Sequence, residues 1–127
     1  MRAFIVDDSA IVRMRLAEML VADADVTVVG QAGTVAAALQ EIPQLQPEFV
    51  LLDIHLPDGD GISVLKAVKR MTPTPAVVMF TNYTDEYHRQ RCEVAGADCF
   101  LDKSKQFDQI PGVLRRLMET KVEYRRE

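Results

Sequence analysis

Five residues of this 127-residue chain have the types and spacing to do chemistry together: Asp7, Asp8, Asp53, Thr81 and Lys103. Asp7 and Asp8 follow Ala3-Phe4-Ile5-Val6, Asp53 follows Phe49-Val50-Leu51-Leu52, and Thr81 follows Ala76-Val77-Val78-Met79-Phe80. Lys103 comes two residues after Asp98-Cys99-Phe100-Leu101. Short apolar runs rich in β-branched or aromatic residues read as strands buried on both faces of a parallel sheet. Carboxylates have no place inside such a sheet and belong at its edge. On neighbouring parallel strands the three would converge, repel and raise one another's pKa values. A hard divalent cation resolves that conflict, and Mg²⁺ takes one or two carboxylates with waters and phosphate oxygens. The set has no nucleophile–base pair of the Ser-His or Cys-His kind. It suits phosphoryl transfer to a carboxylate. Asp53 would attack phosphorus, the metal and Lys103 would neutralise the equatorial oxygens, and Thr81 would donate a hydrogen bond to one of them.

Placing those groups together requires strands that alternate with helices, and the chain carries that pattern. Ser9 is positioned to cap a first helix with Val12, Leu16, Met19 and Leu20 on one face. Val26-Thr27-Val28-Val29 reads as a second strand ended by Gly30. Gly33-Thr34 opens a second helix carrying Ala36, Ala37, Leu39 and Ile42, its exit bracketed by Pro43 and Pro47. After Asp53 comes a loop dense in turn formers, His55-Leu56-Pro57-Asp58-Gly59-Asp60-Gly61. Ile62, Leu65, Val68 and Lys69 continue as a third helix, stopped by Pro73 and Pro75. Asp85 caps a polar fourth helix that runs through Val94, with Gly96 at its carboxyl end. A last helix starts near Asp108, holds Pro111 in its first turn and buries Ile110, Val113, Leu114, Leu117 and Met118. Five strands alternating with five helices predict an α/β fold, a single doubly wound, flavodoxin-like domain. Its five-stranded parallel sheet has the order 2-1-3-4-5, and the acidic edge lies at the switch point. Residues 1–120 make the domain, and the charged run 121–127 is a solvated helix end or the start of a linker.

Composition narrows the classes. Apolar residues at 48% and charged residues at 27% fit a globular chain and exclude disorder. The net charge of −4 gives no whole-domain footprint for nucleic acid or an anionic membrane. No apolar run reaches bilayer length and no signal peptide opens the chain. Cys92 and Cys99 lack metal-ligand spacing and read as reduced, buried thiols, which fits a cytoplasmic location.

From residue 3 to about 118 the chain resembles the receiver domains of two-component response regulators. The features that carry the resemblance are Asp7-Asp8 after strand one and Asp53 with Pro57 and Gly61 in a D-x-x-x-P-x-x-x-G setting. Thr81 after strand four, Lys103 after strand five and the aromatic Phe100 three residues before that lysine complete it. The resemblance implies that Asp53 accepts a phosphoryl group from a histidine kinase or phosphotransfer protein. It implies Mg²⁺ (or Mn²⁺) held by Asp8, Asp53 and the His55 backbone carbonyl, with Asp7 acting through water. It further implies that Thr81 and Phe100 switch together and that the face of helix four, strand five and helix five then meets a partner. That partner is a downstream protein, a carboxyl-terminal effector domain or a second copy of the chain. No direct contact with nucleic acid and no membrane role is implied for these residues, and the domain is a phosphoacceptor rather than an enzyme. His55 and Tyr83, two residues past Asp53 and Thr81, fall where such domains tune dephosphorylation.

Two positions depart from the family pattern. Asn82 replaces a small residue beside the phosphoryl site, and Ser104 replaces a proline, which makes a cis Lys103–Ser104 peptide cost about 3 kcal/mol. Several residues have plainer readings. Met14 and Met19 read as core packing, His55 and His88 as exposed, and Arg89 and Arg91 as solvated charge or partner surface. Among competing functions, a haloacid-dehalogenase-like phosphatase would need an acid where His55 stands. A flavodoxin-like cofactor carrier would need a phosphate cradle where Asp7-Asp8-Ser9 stand. A receiver-like interaction module that acts without phosphorylation is the remaining alternative.

Overall fold

The computed structural model describes residues 1–23 and 25–126; Ala24, Glu127 and the side chains of 121–126 lie outside it. In chain order the elements are β1 (Arg2–Val6), α1 (Ala10–Ala22), β2 (Thr27–Ala32), α2 (Val35–Leu45), β3 (Phe49–Leu52), β4 (His55–Leu56) and β5 (Gly59–Asp60). There follow α3 (Gly61–Val68), β6 (Ala76–Thr81), α4 (Glu86–Val94), β7 (Cys99–Asp102), a 3₁₀ turn (Phe107–Gln109) and α5 (Ile110–Arg126). Five strands form one parallel sheet of order β2-β1-β3-β6-β7, the order expected from the sequence. The loop after Asp53 adds a short antiparallel ribbon, β4 with β5, that its turn-rich composition did not announce.

Because side chains alternate along a strand, each central strand feeds two cores. Phe4, Val6, Val50, Leu52, Val77 and Met79 pack on one face with Ala38 and Ile42 of α2, Leu65 and Val68 of α3, and Cys92 of α4. Ala3, Ile5, Phe49, Leu51, Val78 and Phe80 pack on the other with Leu16 and Leu20 of α1 and Ile110, Val113 and Leu114 of α5. The caps hold as expected. Ser9 Oγ accepts from Val12 N at 3.2 Å, Thr34 Oγ1 from Ala37 N at 3.1 Å, and Asp85 Oδ2 from His88 N at 3.3 Å.

Three local expectations need correcting. β2 does not stop at Gly30 but runs on to Ala32, with a register shift opposite Ala3/Phe4. Glycine is needed there for a close approach: a Cβ would lie 2.7 Å from the Phe4 ring and 2.9 Å from Leu45 Cδ1. The exit of α2 falls between Pro43 and Pro47 as expected: Pro43 sits in the last turn, where it removes one backbone hydrogen bond, and Gln46 closes the helix in the left-handed conformation (φ 48°). Met14 is not core packing, since it lies on the outer side of α1 and is 53% exposed, whereas Met19 packs against the core. Cys92 is buried but Cys99, in the edge strand β7, is only half so. The run 121–127 continues α5 in backbone as far as Arg126, and its side chains lie outside the described residues. Among the described residues no helix is long and apolar enough to cross a membrane.

Candidate functional site

Strand register sets the site. Val6 of β1 lies opposite Leu52 of β3, so the next residues, Asp7 and Asp53, leave the sheet side by side. Asp53 N donates to Val6 O at 3.0 Å, and Asp7 N donates to Ala32 O at 3.0 Å. On the far side Thr81 pairs with Asp102, and Lys103 N donates to Thr81 O at 2.9 Å. That register delivers Lys103 to the same edge from β7. The Lys103–Ser104 peptide is trans, the cis bond among the described residues being Thr72–Pro73. The turn is instead held by the Asp102 carboxylate, which accepts from Ser104 N at 2.9 Å and Ser104 Oγ at 2.7 Å.

Carboxylate oxygens of Asp7, Asp8 and Asp53 lie within 4.8 Å of one another. Lys103 Nζ bridges two of them, 2.5 Å from Asp7 Oδ2 and 2.7 Å from Asp53 Oδ2. The other oxygens are held by backbone: Asp53 Oδ1 accepts from Ile54 N at 2.7 Å and Asp7 Oδ1 from Ser9 N at 2.9 Å. Asp7 and Asp53 are buried, while Asp8 is exposed and has no hydrogen bond or ion pair among the described residues. Burial pushes the Asp7 carboxyl above its ordinary range, partly offset by Lys103, with the Asp53 charge adding a smaller push. Desolvation therefore outweighs the mutual repulsion expected from the sequence. Burial also opposes the charge on Lys103, but its hydrogen bonds to Asp53 and Asp7 outweigh that and raise its pKa, which keeps it an ammonium.

Three carboxylates against one ammonium leave a local excess of negative charge, and the donor atoms are all oxygen. That donor set fits a hard divalent cation with Asp8 as its free arm. The His55 ring stacks on Tyr83, with centroids 4.0 Å apart, instead of joining the carboxylates. A ligand from His55 would therefore come from its backbone. His55 is exposed as expected, whereas His88 is half-buried beside Tyr83 and Tyr87 and its Nδ1 lies 2.6 Å from Asp85 Oδ1. Thr81 is fully buried and its Oγ1 accepts from Tyr83 N at 3.2 Å. Phe100 is half-buried on β7 under the Arg89 guanidinium, 4.6 Å from the ring centroid. Asn82 is exposed.

Four residues that sequence reading passed over hold this edge in place. Gly61, noted there only as part of a spacing, sits where a Cβ would overlap the Asp53 carbonyl oxygen, so the loop closes onto the strand end only through glycine. Asp58 accepts from Val35 N at 2.7 Å and Ala36 N at 3.0 Å, tying the ribbon to the start of α2. Asp60 caps α3 by accepting from Ile62 N at 2.8 Å and accepts from Arg91 at 3.1 Å. An acid just ahead of an apolar helical run signals that cap in the sequence. Arg13 reaches back from α1 to donate to Asp7 O at 2.6 Å, a contact with no sequence signal.

Fold and edge together define a class: doubly wound α/β domains with an acidic pocket at the topological switch point. A family model described as the response regulator receiver domain matches residues 3–115. The chain is 35% identical over 102 residues to the DNA-binding transcriptional activator DevR/DosR of Mycobacterium tuberculosis, which covers 80% of this chain and 47% of that protein. It is 36% identical over 124 residues to a protein-glutamate methylesterase/protein-glutamine glutaminase of Alkalilimnicola ehrlichii, covering 93% of this chain and 31% of that one. The response regulator domain of Thermotoga maritima CheB superposes with a TM-score of 0.81 at 30% identity over 94% of each chain. The chain belongs to the response regulator receiver domain family. It spans less than half the length of the two curated relatives.

Proposed function

We propose that this domain is the phosphoacceptor of a two-component response regulator and that Asp53 takes the phosphoryl group from a histidine kinase or phosphotransfer protein. The observation that carries this reading is the Lys103 ammonium bridging Asp7 and Asp53 beside the free Asp8 carboxylate. In the transfer, an Asp53 carboxylate oxygen forms a bond to phosphorus. The phosphorus–nitrogen bond of phosphohistidine breaks, and the imidazole leaves with the electron pair and takes a proton. Asp8, Asp53 and the His55 carbonyl, with Asp7 through water, would hold Mg²⁺ or Mn²⁺, and the ion would supply positive charge for the phosphoryl oxygens. Ile54 N–H fixes one Asp53 oxygen, and Lys103 stands within reach of a phosphoryl oxygen on the other. Thr81 gives up its turn to hydrogen-bond the phosphoryl group, and Phe100 moves into the space it vacates.

The face of α4, β7 and α5 then presents the changed surface to a downstream protein, to an effector domain carried by a longer chain, or to a second copy of the domain. The His55–Tyr83 stack shields the phosphoryl group from water and sets its lifetime. In this reading the domain spans residues 1–120, works in the cytoplasm, touches neither nucleic acid nor membrane, and assists its own phosphorylation without being an enzyme for another substrate.

The test is intact mass after incubation with acetyl phosphate and Mg²⁺, beside Asp53→Asn. One added phosphoryl group, absent in the variant and with chelator, is the expected result. If acetyl phosphate is silent, a phosphohistidine donor follows, because Asn82 stands by the entry. Silence with both donors replaces this reading with a module that acts without phosphorylation.

A further inference from the structure

A groove of about 570 Å³ lies between α3 and α4, lined by none of Asp7, Asp8, Asp53, Thr81 or Lys103. Its α4 wall carries Tyr87, Gln90, Arg91 and Val94, at i, i+3, i+4 and i+7 and so on one helical face. Val94 is 82% exposed and Tyr87 65% exposed, and Ile62 lies at the base. The opposite wall carries Lys66 of α3 and Arg70, which lies in the turn just past the end of that helix. Neither cation has an ion pair among the described residues, and no carboxylate lines the groove. Arg91 is the exception among the basic groups. Its guanidinium lies 3.1 Å from Asp60 Oδ2 and 5.4 Å from the Tyr87 ring centroid, which fixes the wall. An apolar strip flanked by two unspent positive charges is unusual on a chain of net charge −4.

We propose that this groove docks an acidic amphipathic helix of a partner protein. Apolar side chains about two turns apart on the incoming helix lie along Tyr87 and Val94. Carboxylates flanking that apolar row on the incoming helix face Lys66 and Arg70. A nucleic acid would meet the cations but leave Val94 and Tyr87 uncovered, and it would be repelled by the rest of the acidic chain. The proposal does not depend on phosphorylation of Asp53.

The probe is a fluorescein-labelled amphipathic peptide of about 16 residues with leucines at helical spacing and glutamates flanking them. It is compared with its Glu→Lys counterpart and with a single-stranded DNA of similar length, each titrated into the intact chain and followed by anisotropy. The acidic peptide alone is expected to saturate. Lys66→Glu/Arg70→Glu is expected to weaken it roughly tenfold, as two ion pairs turned repulsive require, and Val94→Glu to abolish it. Backbone amide shifts should change along α3 and α4 only. The variants lie on the surface, and unchanged amide spectra elsewhere confirm that they fold. Absence of saturation, indifference to the charge reversal, equal binding of the lysine peptide, preference for the DNA, or self-association through this groove would each overturn the proposal.

Discussion

Lys103 is the counter-charge of the acidic edge, and its removal leaves Asp7 and Asp53 buried side by side with no cation between them. Breaking a buried pair from one side is costly because the stranded charge stays desolvated. Lys103→Met is expected to lower stability by about 3 kcal/mol in urea unfolding at neutral pH with chelator present. Adding Asp53→Asn should restore part of that loss. Gly61→Ala forces a methyl group into the Asp53 carbonyl oxygen, and backbone cannot swing aside as a side chain can. The substitution is expected to cost roughly 3 kcal/mol or more, whereas Gly30→Ala, which meets the Phe4 ring and Leu45, is expected to cost less because those side chains can shift. Reading the sequence located the charged residues of this edge, because a carboxylate directly after an apolar run has few other places to be. It did not find the bridging position of Lys103 or the overlap at Gly61. Both depend on how far a side chain reaches and how near two backbones pass, which no spacing rule encodes.

At the scale of elements, Asp58 joins the ribbon after β3 to the first turn of α2, where amide groups lack intrahelical acceptors. Those hydrogen bonds from Ala36 and Val35 hold its carboxyl below the ordinary value of 3.8. A depressed folded-state pKa contributes stability in full above the unfolded value and loses it as pH falls through the folded one. Asp58→Asn is therefore expected to have a lower urea midpoint than the parent chain at neutral pH. That gap should narrow as pH drops past 3.8 toward the depressed value; a constant gap would mean that the charge has no part in it. The periodicities located the helices and the five strands of the sheet, since burial on one or both faces leaves a repeat in the sequence. The strand–helix alternation with right-handed crossovers put strand two outside strand one. Gly30 does not terminate its strand, because glycine there is demanded by a neighbouring ring, whereas Pro43 and Pro47 do bracket the end of α2, the first costing a single bond in a final turn.

At the scale of the whole molecule, the two cysteines report on different depths. Burial pushes the Cys92 thiol up to about 11 and also raises Cys99, which is only half-buried. With a disulfide reagent at mildly alkaline pH, Cys99 should react slowly in the native state. Cys92, sealed between α4 and the sheet, should wait for the domain to open, so that its rate follows urea concentration as unfolding does. Fast native labelling of Cys92 would show that α4 lifts from the sheet on its own. Asp60 spends one oxygen on the first turn of α3 and the other on Arg91 of α4. The two helices, packed on one core, are thus also fastened by a polar rivet placed seven residues beyond Asp53. Turning α4 strips α3 of its cap or drags its first turn along, and the width of the groove between them is set from the loop that begins at the acidic edge.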